Sequence, residues 1–335
     1  MEKQRRATRE DVARRAGVST AVISYVLNDG PRPVAEATRR RVLDAIEELG
    51  YRPSAAARAL KLARSGVIGL VVPDISNSFF AEFAKHLQDA AHAAGYSVML
   101  GTTGDPEQES EQVRSLLRRD LDGLVVFGIE QPALLETLLS SETRLVSMDW
   151  QLQDGAVPTI VADDYGATRA AIEHLREVHG HTRIGFIGGP DTSIGANARK
   201  DAWRDALAPF VARADLARLE QSAPFTRDGG YRAAQALAAN PDVSAMFAAS
   251  DIQAIGALRA LRDARVAVPK RIAMMSFDGT VEAEYSSPSL SVVAVPIQAM
   301  AQLALKRVLD EAPNGELHAI FPHELKLRES CGCER

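Results

Sequence analysis

Two rhythms of apolar positions divide the chain. Up to about residue 50 they fall at helical spacing in three short segments. Thr8 stands where it caps a first helix, Asp11 three residues on completes a capping box, and Gly17 ends the helix. Ser19 caps a second helix in which Ile23, Val26 and Leu27 fall at i, i+3 and i+4 and form an inward stripe. Thr20, Ala21, Ser24 and Tyr25 fall on the opposite face, which is small and polar. A third helix over 37–49 turns Val42, Leu43, Ile46 and Leu49 inward and stops at Gly50. Two short helices joined by a tight turn, the second with a polar outer face, suit a unit whose second helix enters a DNA major groove.

From Val67 the rhythm changes to short apolar runs alternating with amphipathic helices. Strands are predicted at 67–72, 97–100, 124–127, 145–148, 184–187, 245–248 and 272–276. Helices are predicted at 79–94, 107–119, 132–140, 165–179, 198–208, 230–239, 252–264 and 296–310. Strand–helix alternation on this scale implies parallel sheets covered on both faces. The irregular stretch at 154–158 splits the pattern into two halves, hence two α/β lobes with a cleft between them. Ligands in such sheets sit at the carboxyl ends of strands.

Charge sharpens the division. The 335 residues carry a net charge of −5, but residues 1–64 sum to +6 and the rest to −11. A basic module on an acidic body fits a nucleic-acid-binding head on a non-binding domain. No apolar run approaches the roughly 20 residues needed to span a bilayer. The basic start, MEKQRRATRE, is not followed by an apolar stretch, so no secretory signal is read and a cytoplasmic location is expected. The length implies two or three domains.

Catalytic motifs are missing. The chain has no GxSxG elbow, no HExxH, no GxxxxGK[ST] loop and no GxGxxG after the first strand, and no enzyme is expected. The seven histidines are scattered, and His179 and His181, flanking a turn, read as surface residues. Cys331 and Cys333 have no further ligands grouped near them in the sequence, so they read as a solvated tail, with no metal and no cofactor expected.

The run DVARRAGVST…VLN…TRRRVLDAIEELGYRPSAAARALK resembles the DNA-binding headpiece and hinge of the lactose/galactose repressor family (LacI/GalR type). The resemblance extends over nearly the whole chain, from about Thr8 to the ESCGC tail. It implies an all-α helix-turn-helix headpiece over 1–52, a hinge helix and linker over 53–65, and a two-lobed core of the type I periplasmic-binding-protein fold over 66–335. Lobe 1 would take about 66–162 and 294–322, and lobe 2 about 163–293 and 323–335.

The resemblance also implies roles for residues. Thr20, Ala21 and Tyr25 match the base-reading positions, with Thr8, Ser19, Ser24 and Asn28 beside them. Val22 stands where the family usually has a phosphate-reaching Thr, and Ala35 where a Ser usually caps the third helix. In the hinge, Leu60 matches the apolar wedge pushed between base pairs in the minor groove, and Ala57, Arg58 and Lys61 accompany it. A helix that short is marginal alone, so it is expected to form as a pair on bent DNA. The implied partners are a palindromic double-stranded operator, a second copy of the chain, and a small-molecule effector of sugar type, with a nucleobase or nucleoside left open.

The effector-binding residues expected after strands are Asp74, Asp149, Trp150, Arg199, Asp251 and Asp278, and the resemblance implies Phe80 and Phe225 as aromatic or apolar walls. Carboxylates accept from hydroxyls, Arg donates in a fork, and aromatic faces cover apolar ring surfaces. Asp is also a favoured helix cap, and Asp164, Asp251 and Asp278 sit where caps belong. Repression is the expected regulatory role, with activation as the alternative on the same fold. A solute receptor with this core would need an export signal and no DNA head.

Overall fold

The structure is a computed structural model that describes residues 7–27, 32–52, 64–103, 106–128, 132–148, 157–310 and 317–333. The chain separates into two units, residues 1–65 and 66–335.

In the first unit α1 (Arg9–Ala16) opens on the reciprocal cap written in its sequence. The Asp11 N–H donates to Thr8 Oγ1 at 3.3 Å, and the Thr8 N–H donates to the Asp11 carboxylate at 2.9 Å. Gly17, at φ 66°, ends the helix in the left-handed conformation. The helices α2 (Thr20–Leu27) and α3 (Glu36–Leu49) follow. Val12, Ile23, Val26, Val42, Ala45 and Tyr51 form the buried centre. One expected core residue is not there: Leu43 is 48% exposed. The inward stripe of α3 runs through Val42, Ala45, Ile46 and Leu49, and position 43 lies about 100° around the helix from Val42. Ala35 offers α3 no side-chain cap, so only its backbone carbonyl starts the helix.

The second unit holds two six-stranded sheets. Its strands are β1 (Val67–Val72), β2 (Ser97–Thr102), β3 (Gly123–Val126), β4 (Leu145–Ser147), β5 (Thr159–Ala162), β6 (Ile184–Gly188), β7 (Glu220–Ser222), β8 (Ala245–Ala248), β9 (Ala273–Asp278), β10 (Ser291–Ala294), β11 (His318–Phe321) and β12 (Glu324–Lys326). The first sheet has the order β11-β5-β4-β3-β1-β2 and is parallel throughout. The second has the order β12-β10-β9-β8-β6-β7 and is parallel except for β12. The helices between are α4 (Ser78–Ala93), α5 (Pro106–Leu117), α6 (Pro132–Leu139), α7 (Asp164–Glu177), α8 (Ile194–Leu207), α9 (Arg213–Leu216), α10 (Arg227–Ala238), α11 (Asp251–Asp263), α12 (Val281–Tyr285) and α13 (Ile297–Leu309). The chain passes between lobes three times: after β5, after β10 and between β11 and β12.

Five strands escaped the apolar pattern: β5, β7, β10, β11 and β12. Strand β7 reads Glu-Gln-Ser and β12 Glu-Leu-Lys, and each is an edge strand whose ladder is supplied by a neighbour. Helices α8 and α10 start earlier than their apolar periodicity, because Ser193 and Thr226 cap them.

The C-terminal segment is not a solvated tail. Cys331 is buried, and Ser330 Oγ accepts from the Ser291 N–H at 2.7 Å and donates to the Met274 carbonyl at 2.7 Å. The Glu329 carboxylate accepts from the Ser289 N–H at 2.8 Å. Polar side chains thus stitch the segment beside β10 and β9, a pairing invisible to hydropathy.

Helices α10 and α11 approach so closely that only glycine fits at their crossing. A Cβ on Gly230 would lie 1.9 Å from the Gln253 carbonyl oxygen, and one on Gly256 1.8 Å from the Arg227 carbonyl oxygen. Gly230→Ala is expected to cost about 3 kcal/mol, read as a lower urea midpoint at unchanged slope. Ala35→Ser should do the opposite in the first unit, adding about 1 kcal/mol through the missing cap, seen as slower hydrogen exchange along α3.

Candidate DNA-reading face and effector cleft

Helix α2 carries no charged residue. Ser19, Thr20 and Ala21 at its start are exposed, and Ser24 and Tyr25 are half-buried beside them. Ile23 and Val26 anchor the inner face in the head core, so the outer face is held rigid by packing. Positive charge sits on the flanking helices instead, with Arg14 on α1 and Arg40 and Arg41 on α3 all exposed. Short polar side chains can approach base edges while arginines meet phosphates. The Thr8 hydroxyl is engaged with the Asp11 carboxylate at 2.7 Å, so its evident work is to seat α1. Val22 packs partly against the head core. Asn28, Ala57, Arg58, Leu60 and Lys61 lie outside the described residues.

Between the lobes of the second unit is a cleft of about 680 Å³, its open mouth included. Its first-lobe wall is aromatic. Phe127, just after β3, is the hub: Phe79 and Phe80 of α4 meet it edge-on at 6.0 and 5.2 Å, and buried Phe83 at 4.8 Å. The second-lobe wall is polar. Arg199 of α8 donates from Nε to the Asp164 carboxylate at 2.8 Å and from a terminal nitrogen to the Ala249 carbonyl. Its guanidinium lies 3.7 Å over the Phe277 ring. Phe225, Ser193, Ser250 and Asp278 complete this side.

The expected effector residues divide accordingly. Phe80, Arg199, Phe225 and Asp278 line the cleft. Asp74 and Asp251 are not among its lining residues. The Asp74 carboxylate turns back to accept from the Ser76 N–H at 2.8 Å and hydroxyl at 2.7 Å. The Asp251 carboxylate is saturated within its own lobe, accepting from Ser276 Oγ at 2.5 Å and from the Thr280 N–H and hydroxyl at 2.7 and 2.8 Å. Asp149 and Trp150 lie outside the described residues. The apolar pattern gave no sign of Asn77, Phe79, Phe127 and Phe277, which also face the cleft. Phe79 was readable only as the first residue of a helix and Phe127 only as the last residue of a strand, and Phe277 fell one position beyond the strand read over 272–276.

Burial pushes both second-lobe carboxyls up. Asp251 rises to about 6, held from going further by the Ser276 and Thr280 donors. Asp278 rises well above the usual carboxylate range, from burial first and the neighbouring Asp251 charge second. Burial and the Asp251 charge thus favour the neutral form of Asp278, a carboxyl able to donate as well as accept, over the opposing pull of Arg199 and the Asp251 N–H.

The sequence matches the profile of the bacterial regulatory proteins of the lacI family over residues 8–54 and the periplasmic-binding-protein-like domain over 172–331. It is 33% identical to the ribose operon repressor of Escherichia coli K12 over 306 residues, 89% of this chain and 91% of that one. The chain belongs to the LacI family. Its members are DNA-binding transcriptional regulators, not enzymes, and this protein is an effector-controlled regulator of that kind. Its fold matches a lac repressor dimer bound to operator and an anti-inducer, with a TM-score of 0.82 at 24% identity over 98% of this chain and 99% of the other. It also matches the regulator CelR in complex with cellobiose, with a TM-score of 0.69 at 29% identity over 97% and 100%.

The Asp278 proton has a measurable consequence. A carboxyl whose folded pKa is raised stabilises the fold fully below its unfolded value of 3.8, and that contribution is lost as pH rises towards the folded value. Asp278→Asn keeps the hydrogen-bonding shape without the proton equilibrium. The fall in wild-type urea midpoint between pH 4 and pH 8 should therefore be smaller in the variant.

Proposed function

We propose that the protein is a repressor, that it binds a palindromic operator as a homodimer in the cytoplasm, and that a carbohydrate in the cleft sets its operator affinity. The observation that carries the effector class is the pairing of an aromatic wall with a donor–acceptor fork. A sugar ring has an apolar C–H face and a rim of hydroxyls. The first would lie on Phe79 and Phe80, and the rim would meet Arg199, Asp164 and the carboxyl of Asp278. The ribose operon repressor and the cellobiose-bound CelR among its relatives support the same class.

The lobes also touch at residues outside the cleft lining. The Val281 N–H at the start of α12 in lobe 2 donates to the Glu82 carboxylate of α4 in lobe 1 at 2.8 Å. A ligand that favours one separation of the lobes shifts DNA affinity by the difference in its binding energy to the two states, and DNA shifts ligand affinity equally. On the DNA side Thr20, Ala21 and Tyr25 are proposed to read bases, with Leu60 as the minor-groove wedge. One head offers few contacts, so two heads on a symmetric site are needed for specific binding.

Thermal-shift titration of the full chain with pentoses, hexoses, disaccharides and nucleobases tests the effector class. A sugar should raise the Tm, and Phe80→Ala should weaken that sugar about tenfold, near 1.4 kcal/mol. Stabilisation by nucleobases alone would overturn the carbohydrate assignment. In fluorescence anisotropy with a selected palindrome, Thr20→Ala with Tyr25→Ala should abolish sequence preference and leave sugar binding unchanged. Affinity should fall steeply with salt as counterions are released. Equal affinity for a half-site and a full palindrome would overturn the dimer.

A further inference from the structure

The fold brings together four side chains that the sequence keeps far apart. His174 lies in the last turn of α7, and His179 follows its C-terminus, where Gly180 at φ 73° turns the chain back. Cys331 ends the 3-10 turn Glu329–Cys331, and Gly332, at φ 99°, swings Cys333 round to the same side. The two Nε2 atoms are 3.2 Å apart. Cys333 Sγ lies 3.4 Å from His179 Nε2 and 3.6 Å from His174 Nε2. With Cys331 Sγ, all four donor atoms fall within 4.8 Å of one another.

The three separations among His174, His179 and Cys333 match the edges of a coordination tetrahedron. Bonds of about 2.05 Å to nitrogen and 2.3 Å to sulfur give N–N edges of about 3.3 Å and N–S edges of about 3.6 Å. The histidines are separated by four residues, within the spacing common in structural zinc sites. The donors converge on one point instead of running in a chain, as a hydrogen-bond relay would. Cys331 Sγ faces the Arg328 carbonyl at 3.4 Å and lies within 4.8 Å of the other three donors.

We propose that His174, His179, Cys331 and Cys333 form a structural Zn²⁺ site that clasps the C-terminal segment to α7 in the second lobe. Two thiolates and two neutral imidazoles around Zn²⁺ sum to no net charge, which suits a half-buried place. Loading releases both thiol protons to solvent and involves no redox change. The site sits at the far end of α7 from Asp164, about 15 Å along the helix, so its role is to hold the lobe and not to touch the effector.

The test uses the untagged full chain. Elemental analysis after equilibration with zinc and gel filtration should find about one zinc per chain. Cobalt substitution should give a thiolate-to-cobalt charge-transfer band with the strong visible bands of tetrahedral Co²⁺. Added zinc should raise the Tm. Cys333→Ser and His179→Asn, checked as folded by circular dichroism, should lose the bound metal and the zinc-dependent Tm shift. His181→Gln should keep both, because that ring faces Ser244 Oγ at 3.0 Å and is outside the set. Folded wild-type protein that retains no zinc and shows no cobalt–thiolate band would overturn the proposal. So would Cys333→Ser holding as much zinc as the wild type.

Discussion

The buried carboxylate of Asp251 is the point on which the second-lobe side of the cleft depends. It sits at the first turn of α11 and draws in Ser276 from β9 and Thr280 from the start of α12. Three donors converge on one charge, so the loops after two adjacent strands are fixed to each other. The neighbouring Asp278, at φ 121°, a backbone conformation that L-residues rarely adopt, lines the cleft and accepts from the Asp251 N–H at 3.2 Å. A charge buried with full hydrogen bonding costs little compared with one left unmatched. The arrangement spends one carboxylate on the scaffold and leaves the other for the cleft.

Arg199 plays the same double part with the opposite sign. It binds Asp164 at the start of α7 and the Ala249 carbonyl at the end of β8. That ties the entry of the chain into lobe 2 to the centre of the second sheet. The aromatic cluster on Phe127 does the matching work in lobe 1, where edge-on ring contacts fix Phe79 and Phe80 along the cleft. Each wall is therefore built by interactions within its own lobe. The two walls can change separation without losing their internal order, which is what a ligand-controlled switch requires.

In the head, α2 has no charged residue, while exposed arginines lie on the flanking helices and the rest of the chain is acidic. For a DNA-binding head such a division puts electrostatic attraction on phosphates and leaves discrimination to short side chains.

Residue spacing by itself determined the helix-turn-helix unit and the alternation that makes two parallel sheets, and it placed Arg199 and Asp278 after strands, where both line the cleft. Those signals are local: a capping box, an apolar stripe, or an aspartate after a strand acts within a few residues of itself. Leu43 was misplaced because one-step neighbours on a helix point about 100° apart, and only the packed head decides which of two leucine-like positions faces in. The edge strands β7 and β12 were illegible because their partners, not their own side chains, make them strands. Only the tertiary structure decided that Asp251 belongs to the scaffold, that Phe127 and Phe277 face the cleft, and that Cys331 and Cys333 meet His174 and His179. In each case the deciding partner is distant in sequence, brought near by chain crossings and polar pairings that have no local periodicity.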